Sequence, residues 1–439
     1  MGKKHVIVLF IAISVLAISA ISCQLFSGSN QQDGDAITSP KAVKGKPDDV
    51  EIVGTNVYRD FFSNWRVYGL LTNIADYPVD DIEIEIEIMD TSGSSVHKES
   101  FVVSMGGLAP GDTTPFSLIV REELTSVDQV TANVESLYKA EFEPAEVEII
   151  GTYKNISEDG IVQVTGEINN PSDNAVILKQ IATAIFSPEG DILFARGCDI
   201  CVRYLAPGEK GPFKVLMFGY PNQIDTSGDF QIYVSAETMT PLETIEVSFS
   251  DYEHTFTDNY KLFHAIGEIQ NNSEYIFDIH LLNTLYDANG NVIDVSSYNV
   301  LPASLSPGES APYDIIFGGP QMEAVNKGSV TWKSQLDYFS SRPVDDASFE
   351  LGTSGDSHEF SGARGTFTGM VLNNTGEELQ VVLVVVGLRD KSGNLVGLGR
   401  ELLWDGVPDG ESIEYSVPIE LDPSLNTSAL EHFLIARGR

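Results

Sequence analysis

The amino-acid sequence predicts an all-β chain of four tandem sandwiches, and three observations predict it. First, a frame Gly-x-x-x-Asn recurs as Gly69/Asn73, Gly166/Asn170, Gly267/Asn271 and Gly369/Asn373, at steps of 97, 101 and 102 residues. Such steps match one self-contained domain and are too long for a solenoid repeat. Second, two turns keep phase with the frame. One has a glycine at Gly93, Gly190, Gly290 and Gly393; the other falls at Pro110-Gly111, Pro207-Gly208, Pro307-Gly308 and Asp409-Gly410. From frame asparagine to first turn glycine the distance is 20, 20, 19 and 20 residues, a register chance would not keep. Third, the residues between these marks alternate apolar and polar, as half-buried strands do.

The third copy gives the elements in order. Ile245-Glu-Val-Ser-Phe249 opens it, and Lys261 to Asn271 is an alternating strand ending in the turn formers Asn271-Asn272-Ser273-Glu274. Tyr275 to Asp287 is the next strand, and Ala288-Asn289-Gly290-Asn291 makes a hairpin in which glycine supplies positive φ. Val292 to Val295 begins the returning strand, Pro307-Gly308 turns the chain, and Tyr313 to Phe317 and Ser329 to Asp337 complete the unit. About seven short strands and no helix in some 100 residues predict two antiparallel sheets packed face to face, an immunoglobulin-like sandwich. The antibody-type Cys…Trp…Cys pattern is missing.

The other copies agree. Ile82-Glu-Ile-Glu-Ile-Glu-Ile88 is a strict period of two, with isoleucines inward and glutamates in solvent. Val381-Val-Leu-Val-Val-Val386 is apolar without a break, which predicts a strand covered on both faces, the second by a neighbouring copy. The copies are expected at 50–140, 141–241, 242–343 and 344–439. Glu143-Pro144, Pro241-Leu242 and Arg342-Pro343 mark short, semi-rigid joints.

The N-terminus runs Lys3-Lys4, an apolar stretch from Val6 to Ile21, then Ser22-Cys23, the order of an export signal. The apolar run is shorter than the ~20 residues a spanning helix needs. Ala20-Ile21-Ser22-Cys23 resembles the lipobox of bacterial lipoproteins. That resemblance implies a signal peptide over 1–22, acylation of Cys23, and a chain anchored to the cell membrane or envelope with its domains outside the cytoplasm. Two acyl chains suffice for stable anchoring. The alternative is an uncleaved anchor helix with an incidental Cys23. Residues 23–49 read as a flexible tether with a reach of about 25–30 Å.

With 64 acidic against 26 basic residues, the chain has a formal charge of −38 and is expected to avoid nucleic acid and anionic lipid surfaces. The densest acidic run is Asp80-Asp81 with Glu83, Glu85 and Glu87. At 42 % hydrophobic residues, disorder by composition is excluded. If Cys23 carries lipid, Cys198 and Cys201 remain, a candidate disulfide requiring a turn at Asp199-Ile200, or a pair without special role.

A family resemblance can be named on these residues. The glycine–strand–asparagine opening, the strand end Thr284-Leu285-Tyr286-Asp287, Asn289-Gly290 and the Leu-x-Pro-Gly turn resemble the small bacterial FxLYD domains. Asn283 stands where the name-giving Phe would be. The counterparts Glu87 to Asp90, Ala184 to Ser187 and Gly387 to Asp390 keep the position and lose most of the letters. The resemblance implies an extracellular sandwich module and no catalytic residues.

No catalytic constellation is legible. The histidines His5, His97, His254, His264, His280, His358 and His432 are scattered, and no nucleophile elbow, zinc helix, phosphate loop or dinucleotide fingerprint occurs. No catalytic residue, cofactor or metal site is expected. Asp287-Ala-Asn289-Gly-Asn291 begins like a calcium loop but lacks its sixth-position glycine and closing glutamate. Tyr58, Phe61, Phe62 and Trp65 form the candidate binding surface for a protein or glycan. The expected function is a non-enzymatic, lipid-anchored binding or spacer module for an unknown protein or glycan partner. The alternative is a structural or assembly component of the envelope. The sequence leaves the oligomeric state open.

Overall fold

The computed structural model describes residues 43–60, 63–103, 106–124, 126–157, 161–217, 228–242, 245–300, 304–318, 330–344 and 348–439. From Val43 to Arg439 the chain forms one compact unit. It is all-β: among the described residues there is no α-helix, and only two 3-10 turns, Pro47–Asp49 and Thr427–Ala429, interrupt the strands.

The strands fall in four consecutive stretches. The first holds β1 (Val50–Arg59), β2 (Trp65–Asn73), β3 (Val79–Met89), β4 (Ser95–Val103), β5 (Thr113–Val120) and β6 (Gln129–Lys139). The second holds β7 (Glu148–Ile156), β8 (Val162–Asn169), β9 (Ala175–Phe186), β10 (Ile192–Gly197), β11 (Ile200–Cys201), β12 (Tyr204–Leu205), β13 (Lys210–Met217) and β14 (Phe230–Met239). In the third are β15 (Val247–Phe249), β16 (His254–Thr257), β17 (Phe263–Asn271), β18 (Phe277–Asp278), β19 (His280–Tyr286), β20 (Val292–Asn299), β21 (Ser310–Phe317), β22 (Thr331–Leu336) and β23 (Arg342–Pro343). The fourth has β24 (Phe349–Glu350), β25 (Gly352–Ser361), β26 (Arg364–Leu372), β27 (Val382–Arg389), β28 (Leu395–Leu403), β29 (Ser412–Glu420) and β30 (Glu431–Gly438).

Each stretch builds two main antiparallel sheets, and the third adds a two-stranded one, β18-β23. The front sheet is centred on the frame strand: β1-β2-β5, β7-β8-β13-β11, β15 and β16 with β17-β21, and β25-β26-β29. The back sheet is centred on the strand that follows the frame: β4-β3-β6, β9 with β10, β12 and β14, β20-β19-β22, and β28-β27-β30-β24. In the first stretch Val67, Leu71, Phe116 and Leu118 of the front sheet meet Ile82, Ile84, Ile86 and Ile88 of the back sheet in one core. The sandwich follows from the period of two in each strand.

The frame turns out to be a structural knot. Asn73, Asn170, Asn271 and Asn373 are each 0 % exposed. Each Nδ2 donates to the carbonyl four residues on (Tyr77, Asn174, Tyr275, Glu377) and to a carbonyl before the Gly turn (Leu108, Leu205, Leu305, Val407). Each Oδ1 accepts from the backbone N–H two residues on, at Ala75, Ser172, Ser273 and Thr375. One amide thus ties the strand end, the following turn and the return segment, with both donors and its acceptor used. The frame glycine lies under a cross-strand ring: Phe116, Phe213, Tyr313 or Tyr415. A Cβ would meet that ring at 2.7 Å on Gly166 and 2.6 Å on Gly369, and closer still on Gly69 and Gly267.

Candidate functional site

The polar and aromatic residues of most interest gather where one stretch meets the next. In each case the outer face of a front sheet packs on the back sheet of the following stretch. The residues three before, one before and one after the frame glycine all point to that face, because side chains alternate along a strand.

At the first joint these are Arg66, Tyr68 and Leu70. Tyr58 stacks on Tyr68 at 5.6 Å, and Tyr68 meets Phe194 at 5.3 Å between ring centroids. Leu70 and Phe186 pack on the same cluster, and Asn56 donates to the Ile192 carbonyl at 2.8 Å. At the second joint the three are Gln163, Thr165 and Glu167, none more than 3 % exposed. Gln163 donates to the Ile293 carbonyl at 3.1 Å and to Asp294 at 3.2 Å, and Thr165 donates to the Val292 carbonyl. Lys214 pairs with Asp294 at 2.9 Å, both buried. Glu167 accepts from the Tyr286 hydroxyl and from Lys210, each at 2.7 Å.

At the third joint the three are His264, Ile266 and Glu268. Glu268 takes Arg389 in a two-pronged pair at 2.6 and 3.1 Å. Arg437 bonds Glu309, and Arg400 lies over the Tyr298 ring at 5.2 Å. Phe256 and Ile266 of the third stretch share an apolar cluster with Leu383, Val385, Leu395 and Leu398 of the fourth. The unbroken run of β27 is thereby explained: Val382, Val384 and Val386 fill its own core, while Leu383 and Val385 face the neighbour.

The Leu-Tyr-Asp strand end divides its work in the same way. Leu285 is fully buried, Tyr286 reaches Glu167 across the second joint, and Asp287 accepts from the Asn289 and Asn291 N–H groups of its hairpin at 2.8 and 2.9 Å. Asp90 and Asp390 cap their hairpins identically. The Asp287 carboxylate is thus committed to its turn. Among the described residues no three His, Cys, Asp or Glu side chains gather as metal ligands.

Of the residues singled out from sequence, Cys23, Phe61 and Phe62 lie outside the described residues, as do 1–22 and most of the 23–49 tether. Tyr58 and Trp65 are not a free surface. Tyr58 is part of the first joint, and Trp65 packs on the first core with its indole N–H near the Leu124 carbonyl at 3.3 Å. Cys198 and Cys201 are free thiols where the chain crosses from back to front sheet. The Cys198 N–H bonds Ile181 of the back sheet and the Asp199 N–H bonds Lys214 of the front. Burial, reinforced by the Cys201 thiol, pushes the Cys198 thiol well up from its ordinary value, the opposite of a reactive cysteine.

Histidines scattered in sequence converge at the third joint. His264 stacks on Phe256 at 4.5 Å between Asp314 at 3.0 Å and Asp258 at 3.5 Å. His254 faces Asp422 of the fourth stretch at 3.5 Å. Burial alone would lower His264, but Asp314 and Asp258 outweigh it and hold the imidazole above its ordinary value. Burial lowers His254 against the pull of Asp422 and Asp390. The raised His264 contributes stability that is present below pH ~6.5 and lost as pH rises through its folded value. The depressed His254 contributes stability present above pH ~6.5 and lost as pH falls through its own. Thermal unfolding of the third stretch against pH should therefore peak near pH ~6.5, with His280, which burial also lowers, sharing the acid limb with His254. His264→Gln should flatten the alkaline limb and His254→Gln reduce the acid limb; limbs unchanged in both variants would disprove this assignment.

No family model matches the chain, and no curated protein does. Among solved structures the chain is similar, at 8 % identity and a TM-score of 0.14, to native Escherichia coli α2-macroglobulin, covering 88 % of this chain and 28 % of that one. The trypsin-activated form gives 8 % identity, 88 % and 30 % coverage and a TM-score of 0.13. The form activated by porcine elastase gives 9 % identity, 89 % and 53 % coverage and a TM-score of 0.13. The chain thus spans between about a quarter and a half of those chains, and scores this low support no argument. The FxLYD resemblance rests on the residues quoted for it alone.

Proposed function

We propose that this protein is a non-enzymatic, lipid-anchored spacer of the bacterial cell envelope, made of four tandem immunoglobulin-like sandwiches of FxLYD type over 50–140, 141–241, 242–343 and 344–439. Cys23 carries the lipid, 23–49 is the tether, and the sandwiches stand outside the cytoplasm to present a binding surface to a protein or glycan partner. The observation that carries the reading is the run of three sheet-on-sheet joints. They use the same face each time and join each stretch to the next, which fixes a series of small domains as one body. A chain that only needed flexible reach would not bury Lys214, Asp294 and Gln163 between stretches. The rival role as an assembly component of the envelope shares the architecture and differs in lacking a specific ligand. Cys198 and Cys201, side by side at the sheet crossing, are a candidate disulfide in an oxidising compartment.

Cys23→Ala tests the anchor. The variant is expected in the aqueous phase of a detergent partition, with the parent in the detergent phase; a variant that stays in detergent would show that the apolar run itself is the anchor.

A further inference from the structure

Three of the four front sheets have their outer face covered by the next stretch, and the fourth is open. Around its frame glycine, Thr366, Thr368 and Met370 take the places of Gln163, Thr165 and Glu167, and the first two are exposed. Beside them on β29, Ser416 and Pro418 are exposed as well. Glu411, after the turn glycine, stands where Glu309 meets Arg437 at the third joint. A hydroxyl-rich face is no bar to seating: the second joint is as polar, and there the Thr165 hydroxyl bonds a carbonyl of its neighbour.

At the other end, among the described residues, no stretch packs on the outer face of the back sheet formed by β3 and β4 of the first stretch. The strands β10, β20 and β28 each begin with four buried residues, whereas the equivalent β4, Ser-Val-His-Lys-Glu-Ser, is largely exposed. Glu83, Glu85 and Glu87 occupy the outer side of β3, where β27 has Leu383 and Val385.

We propose that the open face of β26 and β29 is a fourth joint surface that seats a β-sandwich of another protein whose facing sheet is neutral or basic. Glu83, Glu85 and Glu87 keep a second copy of this chain off it. This face continues the series of three existing joints, and charge selects what it can seat. The open face is edged by Glu359, Glu411 and Glu414, with its Arg364 committed to Glu420, and Lys98 offsets only Glu85 of the three facing glutamates, so a second copy would bring a net excess of carboxylates together, which is destabilising. The third joint is the precedent for the fitting partner: there Glu268 and Glu309 meet Arg389 and Arg437. A joint of this head-to-tail type between copies would propagate into a ring or a filament according to its rotation, and the glutamates forestall both.

This inference rests on the tandem-sandwich reading but not on the lipid anchor, so the Cys23→Ala result does not bear on it. The probe is the chain from Val43 onward carrying Glu83→Val, Glu85→Val and Glu87→Val, a sandwich face of known neutral chemistry. Sedimentation velocity at about 100 μM should find the parent monomeric and the triple variant associating through a Kd at least ~10-fold tighter. Adding Thr368→Arg to the triple variant should abolish its self-association. That quadruple variant mixed with parent should then form a one-to-one complex, since only the parent keeps an open seat. The set Glu83→Gln, Glu85→Gln and Glu87→Gln repeats the test if the valine variant misfolds. A folded variant that stays monomeric, or association indifferent to Thr368→Arg, would overturn the seat. A parent that assembles by itself through that face would overturn the glutamate stop.

Discussion

Asn271→Ala is expected to destabilise the third stretch by about 3 kcal/mol, because it strips the Ser273 N–H and the Tyr275 carbonyl of their partner in the half-buried turn and takes a bond from the buried Leu305 carbonyl. The Leu305 carbonyl loses one bond but keeps the Phe277 N–H at 3.1 Å, which limits the loss. Melting as a cooperative unit of about 100 residues, the third stretch would lose roughly 12–24 °C in its transition. The adjacent Asn272 is exposed, and Asn272→Ala should change stability by less than about 0.5 kcal/mol. Calorimetry on the two variants decides the matter: near-equal melting would mean that the frame amide is not the tie described above. Asn271 and Asn373 also stand in Asn-x-Ser/Thr triplets, and their complete burial makes them unusable as glycan acceptors in the folded chain.

Lys214→Met should cost about 3–5 kcal/mol, since it strands the Asp294 carboxylate in the second joint. Asp294 keeps Gln163 at 3.2 Å and the Val295 N–H at 2.8 Å, so the low end of that range is expected. Adding Asp294→Leu should recover most of the loss, because two apolar groups of similar volume replace a buried pair at little net cost. Denaturant unfolding of the single and double variants checks this. A double variant no more stable than Lys214→Met would mean that the pair itself, and not the stranded charge, carries the energy.

The fold was legible because its signals are local. Turn glycines, alternating strands and the recurring asparagine act within a few residues, and each copy repeats them. One such landmark went unread: Gly54, Gly151 and Gly355 adopt positive φ at a bulge in the opening strand, 15, 15 and 14 residues before the frame glycine. The third copy has Tyr252 there, and its opening strand instead breaks into β15 and β16, so β16 was missed. The joints were not legible for a different reason. Gln163, Thr165, Lys214 and Asp294 alternate on strands just as solvated polar residues do, and nothing local tells a covered face from a wet one. Only the valine run of β27 betrayed coverage, since an apolar outer face needs a cover. Tyr58 misled in the opposite sense: an aromatic near a strand opening looks like a contact surface for an outsider, and here its contact is internal.

One position in the joints has a further consequence. The residue after the frame glycine meets the end of the next central strand by apolar packing at Leu70 and Phe186, by a carboxylate–phenol bond at Glu167 and Tyr286, and by an ion pair at Glu268 and Arg389. These respond differently to the medium. Apolar contact weakens on cooling and strengthens with salting-out ions, while a partly exposed ion pair is screened as ionic strength rises. In dilute, cold surroundings this one contact is therefore strongest at the third joint, and in warm brine at the first.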